Sequence, residues 1–170
     1  GDTSHAEQMF EKGMSLEVKN FQTLDNFVQY ARIRGSSEPI LGIKLFEEII
    51  EQAEKNGLGL ISFQARLGRC LCSVLAQGYQ KRIESEIDKI ENDLKNRGVS
   101  ISWLGEYIKA LGEKESGNKD KARLHYRRLS GEGQSISNVW ASLQGVYGLC
   151  ALAESETEKE KNKKVLRGIL

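Results

Sequence analysis

The chain has 170 residues, 39% of them hydrophobic and 29% charged, with a formal net charge of +1. That is enough apolar material for a core, and it leaves no overall field to draw the protein to nucleic acid, an anionic membrane or a basic partner. A single proline, Pro39, and few β-branched runs argue against a strand-rich class and predict helix nearly throughout.

The first helix is expected from a capping box, Ser4 with Glu7, followed by Ala6, Met9, Phe10, Gly13 and Leu16, to about Val18. After Asn20 a second helix presents Phe21, Leu24, Phe27, Val28 and Ala31 and is expected to stop near the turn formers Gly35, Ser36 and Ser37. Ser37 is the expected cap of a third helix with Pro39 in its first turn. That helix places Leu41, Leu45, Phe46, Ile49, Ile50 and Ala53 inward and Glu47, Glu48, Glu51 and Glu54 outward, ending at Asn56-Gly57.

The fourth helix, from about Leu58 to Gln77, is the most apolar and is expected to be the most buried, through Leu60, Phe63, Leu67, Leu71 and Val74 with Ile61, Gly68 and Leu75 beside them. A fifth, from about Gln80 to Asn96, carries Ile83, Ile87, Ile90 and Leu94 on one face. The sixth, from about Ser100 to Ser116, carries Trp103, Leu104, Tyr107, Ile108 and Leu111. Gly117-Asn118 reverses the chain, and Ala122, Tyr126 and Leu129 mark the inner face of a seventh helix. Residues 130–135, SGEGQS, read as the longest loop. An eighth helix carries Val139, Trp140, Leu143, Val146, Tyr147 and Leu149, and Ser155 with Glu158 forms a second capping box before a final short helix.

Helical phase recurs about every 37 to 41 residues, as Gly42, Phe46 and Ile49, then Gly78, Ile83, Ile87 and Ile90, then Gly117, Ala122, Tyr126 and Leu129. Trp140, Leu143 and Tyr147 stand at the spacing W-x2-L-x3-Y, Ala122 and Tyr126 repeat the second half of a helix-pair signature, and Leu67-Gly68 and Leu104-Gly105 supply leucine-glycine pairs. On these residues the chain resembles the tetratricopeptide repeat proteins. The resemblance implies a TPR-like all-α superhelix, a solenoid of about four helix pairs plus an extra helix, as one domain over residues 1–170. It also implies a non-catalytic scaffold that takes a protein or peptide in a concave groove lined by the fourth, sixth and eighth helices. The alternative is a ligand-sensing regulatory domain of a larger signalling or transcription regulator.

Within that groove Ser62, Arg66, Arg69 and Ser73 share one side of the fourth helix, and two arginines one turn apart could fork onto a carboxylate or phosphate. The competing account is a solvated face or ion pairs with a neighbouring helix. Lys119, Arg123 and Arg127 form a second basic row opposite Ala122 and Tyr126, without the interleaved aromatics that base stacking needs, so nucleic acid is not an expected partner.

Catalysis has little support. His5 and His125 are read as surface or rim residues without an orienting partner, and no metal-ligand spacing or cofactor motif is present. Gly57-Leu58-Gly59 follows a helix and lacks a third glycine, so it reads as an interhelical turn, and Gly131 to Gly133 read as a connector. Cys70, Cys72 and Cys150, odd in number, are expected as core fillers. No apolar run is long enough for a membrane span and no signal-peptide pattern is present, so a cytoplasmic location without membrane insertion is expected. Gly1 in place of methionine and the apolar finish Val165, Leu166, Ile169 and Leu170 suggest a piece of a longer protein.

Overall fold

The computed structural model describes residues 3–15, 20–99, 103–135 and 139–169. Among these the protein is all helix: α1 Thr3–Met14, α2 Phe21–Ser37, α3 Pro39–Lys55, α4 Gly59–Gln77, α5 Lys81–Asn96, α6 Trp103–Glu115, α7 Lys119–Ser135, α8 Val139–Ala151 and α9 Glu156–Ile169. They fall into two compact units, Gly1–Ala76 and Gln77–Leu170.

In the first unit the predicted inner faces meet. Leu24, Phe27, Val28 and Ala31 of α2 pack with Leu45, Phe46, Ile49 and Ala53 of α3 and with Ile61, Ala65 and Cys72 of α4. Each large side chain fully removed from water contributes about 1.5–3 kcal/mol, so Phe46, Leu24, Ile49 and Ile61 dominate this unit's stability. α4 is buried round much of its circumference, nine of its 19 residues in all. Its inner face is broader than the predicted stripe, and Leu60 and Leu75, at 45% and 43% exposure, lie outside it. Gly68 sits under the ring of Phe46, where a methyl group could not fit.

Asn20 caps α2 by accepting the amide of Thr23 at 2.8 Å. The helix does not stop at Gly35. It runs on through Ser36 and Ser37, whose hydroxyls bond back to Ile33 and Arg34 carbonyls, and Glu38 rather than Ser37 is the N-cap of α3. Burial explains the extension: Gly35 faces Gly42 and the Cys72 sulfur, so the last turn of α2 is held by packing. α3 ends as expected. Gly57 adopts a φ of 69°, and the amides of Gly57 and Leu58 bond the carbonyls of Glu54 and Ala53, a Schellman closure that a left-handed glycine permits.

Gly117, at φ 80°, closes α6 in the same way, its amide bonding Lys114 and that of Asn118 bonding Glu113. Beneath this turn the Glu113 carboxylate is buried, accepting from Asn118 at 2.7 Å and facing Lys121 at 3.5 Å. Ala110, Ala122, Tyr126, Leu129, Ala141 and Leu152 form a core joining α6, α7 and α8.

The expected loop at 130–135 is helix, the last turn and a half of α7. The glycines there cost helix propensity, on the order of 1 kcal/mol each, but α8 packs directly on this stretch. A Cβ at Gly145 would lie 2.5 Å from the Ser130 amide nitrogen, and the buried Ser142 hydroxyl donates to the Ser130 carbonyl at 3.4 Å. Ser155 caps α9 by accepting the Glu158 amide at 3.1 Å, while the Glu158 carboxylate takes the Glu154 amide at 3.2 Å. The expected first capping box rests on the side chains of Ser4 and Glu7, outside the described residues, as do Leu16 and Val18 of the first helix, Ser100 of the sixth, and Leu170.

Candidate functional site

α8 turns its two aromatic side chains outward. Apolar residues surround this helix, and the buried ones are Ala141, Ser142, Gly145, Val146 and Gly148, whereas Trp140 and Tyr147 are 67% and 68% exposed. The reason lies in α7. Tyr126 and Leu129 already fill the interhelical space, so α8 approaches with its smallest residues, Gly148 lying against the Tyr126 ring and Gly145 against the α7 backbone.

This orientation builds a cleft. Tyr107, Leu111 and Lys114, at i, i+4 and i+7 on α6, face Gln144, Tyr147 and Ala151 on α8, with Tyr126 beneath them, around a cavity of about 100 Å³. Trp103 and Trp140 extend the two rows by one further turn each, four residues before Tyr107 and Gln144. The Trp103 and Tyr107 rings lie 6.4 Å apart between centroids. Burial pushes the Tyr107 phenol up, and burial with the neighbouring Tyr107 and Glu115 pushes Tyr126 to about 12, so both stay neutral hydrogen-bond donors near neutral pH. Aromatic bodies with polar tips beside an amide and an ammonium are the surface chemistry of peptide recognition.

The residues expected to bind an anion are placed otherwise than on an open face. Ser62 is buried and donates to Glu54 at 3.2 Å, Arg66 donates to the same carboxylate oxygen, Arg69 stands 3.9 Å from Glu47, and Ser73 is half-buried. Glutamates of α3 thus already meet the arginines, and the hydrogen bond from Arg66 holds the Glu54 carboxyl below its ordinary range.

Two polar residues lie elsewhere than the sequence predicts. His125 is not on the rim: its side chain is 16% exposed and its Nδ1 lies 2.8 Å from the Glu106 carboxylate on α6. Arg123 does not lie on a solvated basic row. It is 16% exposed and donates to the Leu152 carbonyl at 2.6 Å while pairing with Glu154 at 3.2 Å, so it ties α7 to the segment before α9. Lys119 and Arg127 are exposed as expected.

Glu106 belongs to a chain of charges across α5, α6 and α7. Lys109 bonds Asp88 at 2.7 Å and Glu91 at 2.8 Å, and Arg128 reaches Glu106 at 3.4 Å. Burial pushes Glu106 up, but the bond and charge of His125, with Arg128 and Lys109, outweigh it and leave the carboxyl below its ordinary value. For Glu91 burial wins over Lys109, and its carboxyl lies above the ordinary value. No spacing rule could have found these pairs, since 19 residues separate His125 from Glu106.

Cys70 and Cys72 are buried and Cys150 half-buried, and burial pushes the Cys72 thiol up to about 11, far from a reactive thiolate. Among the described residues no three His, Cys, Asp or Glu side chains are placed to share a metal ion, and no helix is long and apolar enough to cross a membrane. Comparison with protein families, curated proteins and solved structures finds no match.

Proposed function

We propose that the chain is a non-catalytic scaffold that binds a protein or peptide segment along the face shared by α6 and α8, and that its helical hairpins are TPR-like repeats. The single observation that carries this reading is the exposure of Trp140 and Tyr147, at 67% and 68%, on a helix that meets α7 mainly through small residues. An exposed tryptophan and tyrosine in one helical row, beside the Tyr107, Leu111 and Lys114 row, are the residue types that dominate binding energy at interfaces. The helices that carry them are fixed by their own core, so engagement costs the scaffold little conformational entropy.

Arg66 and Arg69 are proposed as a separate contact within the first unit, for a partner carboxylate able to displace Glu54 and Glu47. The test is selection of random-peptide display libraries on the immobilised chain, followed by titration of the selected peptide against Trp140→Ala and Tyr147→Ala. Each substitution is expected to weaken binding by about 2 kcal/mol, roughly thirtyfold. Selected peptides indifferent to both would overturn the assignment of this face.

A further inference from the structure

The first unit holds a cavity of different character. Phe10 of α1, Tyr30 of α2 and Leu41 and Leu45 of α3 wall a space of about 290 Å³, and Glu11 and Glu48 stand at its edge. The volume is at the lower end of the range for ligand pockets. Phe10 and Tyr30 are stacked, their centroids 4.8 Å apart and their planes at 26°, and Phe10 also meets Phe27 edge-on, so the aromatic wall is anchored in the core.

The charged residues that line this space are both carboxylates. Glu11 and Glu48 are both exposed and, among the described residues, neither makes an ion pair or a side-chain hydrogen bond. Lys12, beside Glu11, and Lys44, one turn before Glu48, are exposed and pair with neither. Elsewhere on α3 the glutamates Glu47 and Glu54 are met by arginines of α4, whereas Glu48, with Glu11 of α1, is open to an outside cation.

We infer that this cavity receives a lysine side chain of a partner polypeptide. Leu41 and Leu45 with the Phe10–Tyr30 stack offer an apolar wall to the four-carbon stem, and the two carboxylates lie at the mouth to pair with the ammonium. A bare metal ion fits poorly, because most of the lining is hydrocarbon. The site lies within the first unit and does not depend on the α6–α8 face.

The experiment is a methyl- and amide-resolved NMR titration of the whole chain with three probes: a capped Gly-Gly-Lys-Gly-Gly peptide, the same peptide with norleucine for lysine, and n-butylammonium, each up to about 10 mM. The lysine peptide should shift the signals of Leu41, Leu45 and Tyr30, and the norleucine peptide should bind at least about tenfold more weakly. Glu11→Gln with Glu48→Gln should weaken the lysine peptide by about tenfold while leaving the spectrum of the free protein dispersed, both positions being exposed. Equal binding of lysine and norleucine, indifference to the double substitution, or shifts confined to other residues would overturn the inference. Binding of n-butylammonium as tight as that of the peptide would overturn the choice of a polypeptide partner.

Discussion

The α2–α4 core of the first unit and the α7–α8 contact of the second are packed with different materials. In the first, Phe46, Leu24, Ile49 and Ile61 fill the space between helices, and Gly13 and Gly68 make room for the rings of Phe27 and Phe46. In the second, Ala110, Ala122 and Ala141 line the core of α6, α7 and α8, and Gly145 and Gly148 bring α8 onto α7. The difference decides what remains outside. Bulky residues used inside leave α3 with a glutamate-rich outer face, whereas small residues used inside leave the aromatic residues of α8 facing solvent.

The largest effect that separates the two is Phe46→Ala. Phe46 has no exposed surface, and truncation should cost about 3–5 kcal/mol in chemical denaturation of the whole chain. If truncating the exposed Trp140 cost as much, the contrast between the units would be lost. Next comes Gly145→Ala. The added methyl would meet the Ser130 nitrogen at 2.5 Å and the Tyr126 carbonyl at 2.7 Å, backbone atoms that cannot rotate aside. A loss of about 1–3 kcal/mol is expected, and a loss below about 0.3 kcal/mol would mean that α8 does not seat on α7 through its glycine face.

These two residues also mark how far sequence reasoning reaches. Phe46 lies in a helix with one apolar and one charged side, so a period of 3.6 identifies its inner face directly, as it does for Ile83, Ile87, Ile90 and Leu94. α8 contains no charge at all. Periodicity cannot orient a helix that is apolar all round, and the deciding fact, that Tyr126 and Leu129 leave no room for a second large side chain, belongs to a different helix. The turn-like composition of residues 130–135 misled for a related reason, because local propensity was outweighed by contact with α8. The Glu106–His125 pair and the hold of Arg123 on Leu152 join positions 19 and 29 residues apart, distances at which no helical period applies. The cleft between α6 and α8 was legible only as residue types, not as a surface.

A smaller effect distinguishes two half-buried carboxylates of the second unit. The folded state depresses Glu106, so its contribution is present above its ordinary value of 4.5 and is lost as pH falls through the folded value. Glu106→Gln should therefore destabilise at pH 7, on the order of 1 kcal/mol, with the penalty fading as pH drops below about 4. Glu91 has the opposite sign: folding raises its carboxyl above 4.5, so ionisation costs stability as pH rises through that window. The change in stability caused by Glu91→Gln should then move in the favourable direction between pH 4 and pH 7. Denaturation midpoints across that range would check both, and parallel pH profiles for the two variants would refute the assignment.

The smallest expected effect on stability is also the sharpest test of the outward face of α8. Trp140 and Tyr147 are two-thirds exposed and contribute little to the core, so replacing both with serine should change the folding free energy by no more than about 0.5 kcal/mol at each position. The same double substitution removes the anchors proposed to bind the partner, so binding of a selected peptide should disappear while the denaturation curve stays almost in place. A large drop in stability would show that these side chains serve the fold, and the contrast between an inward-packed and an outward-facing set of aromatic residues would then fail at the helix on which it is clearest.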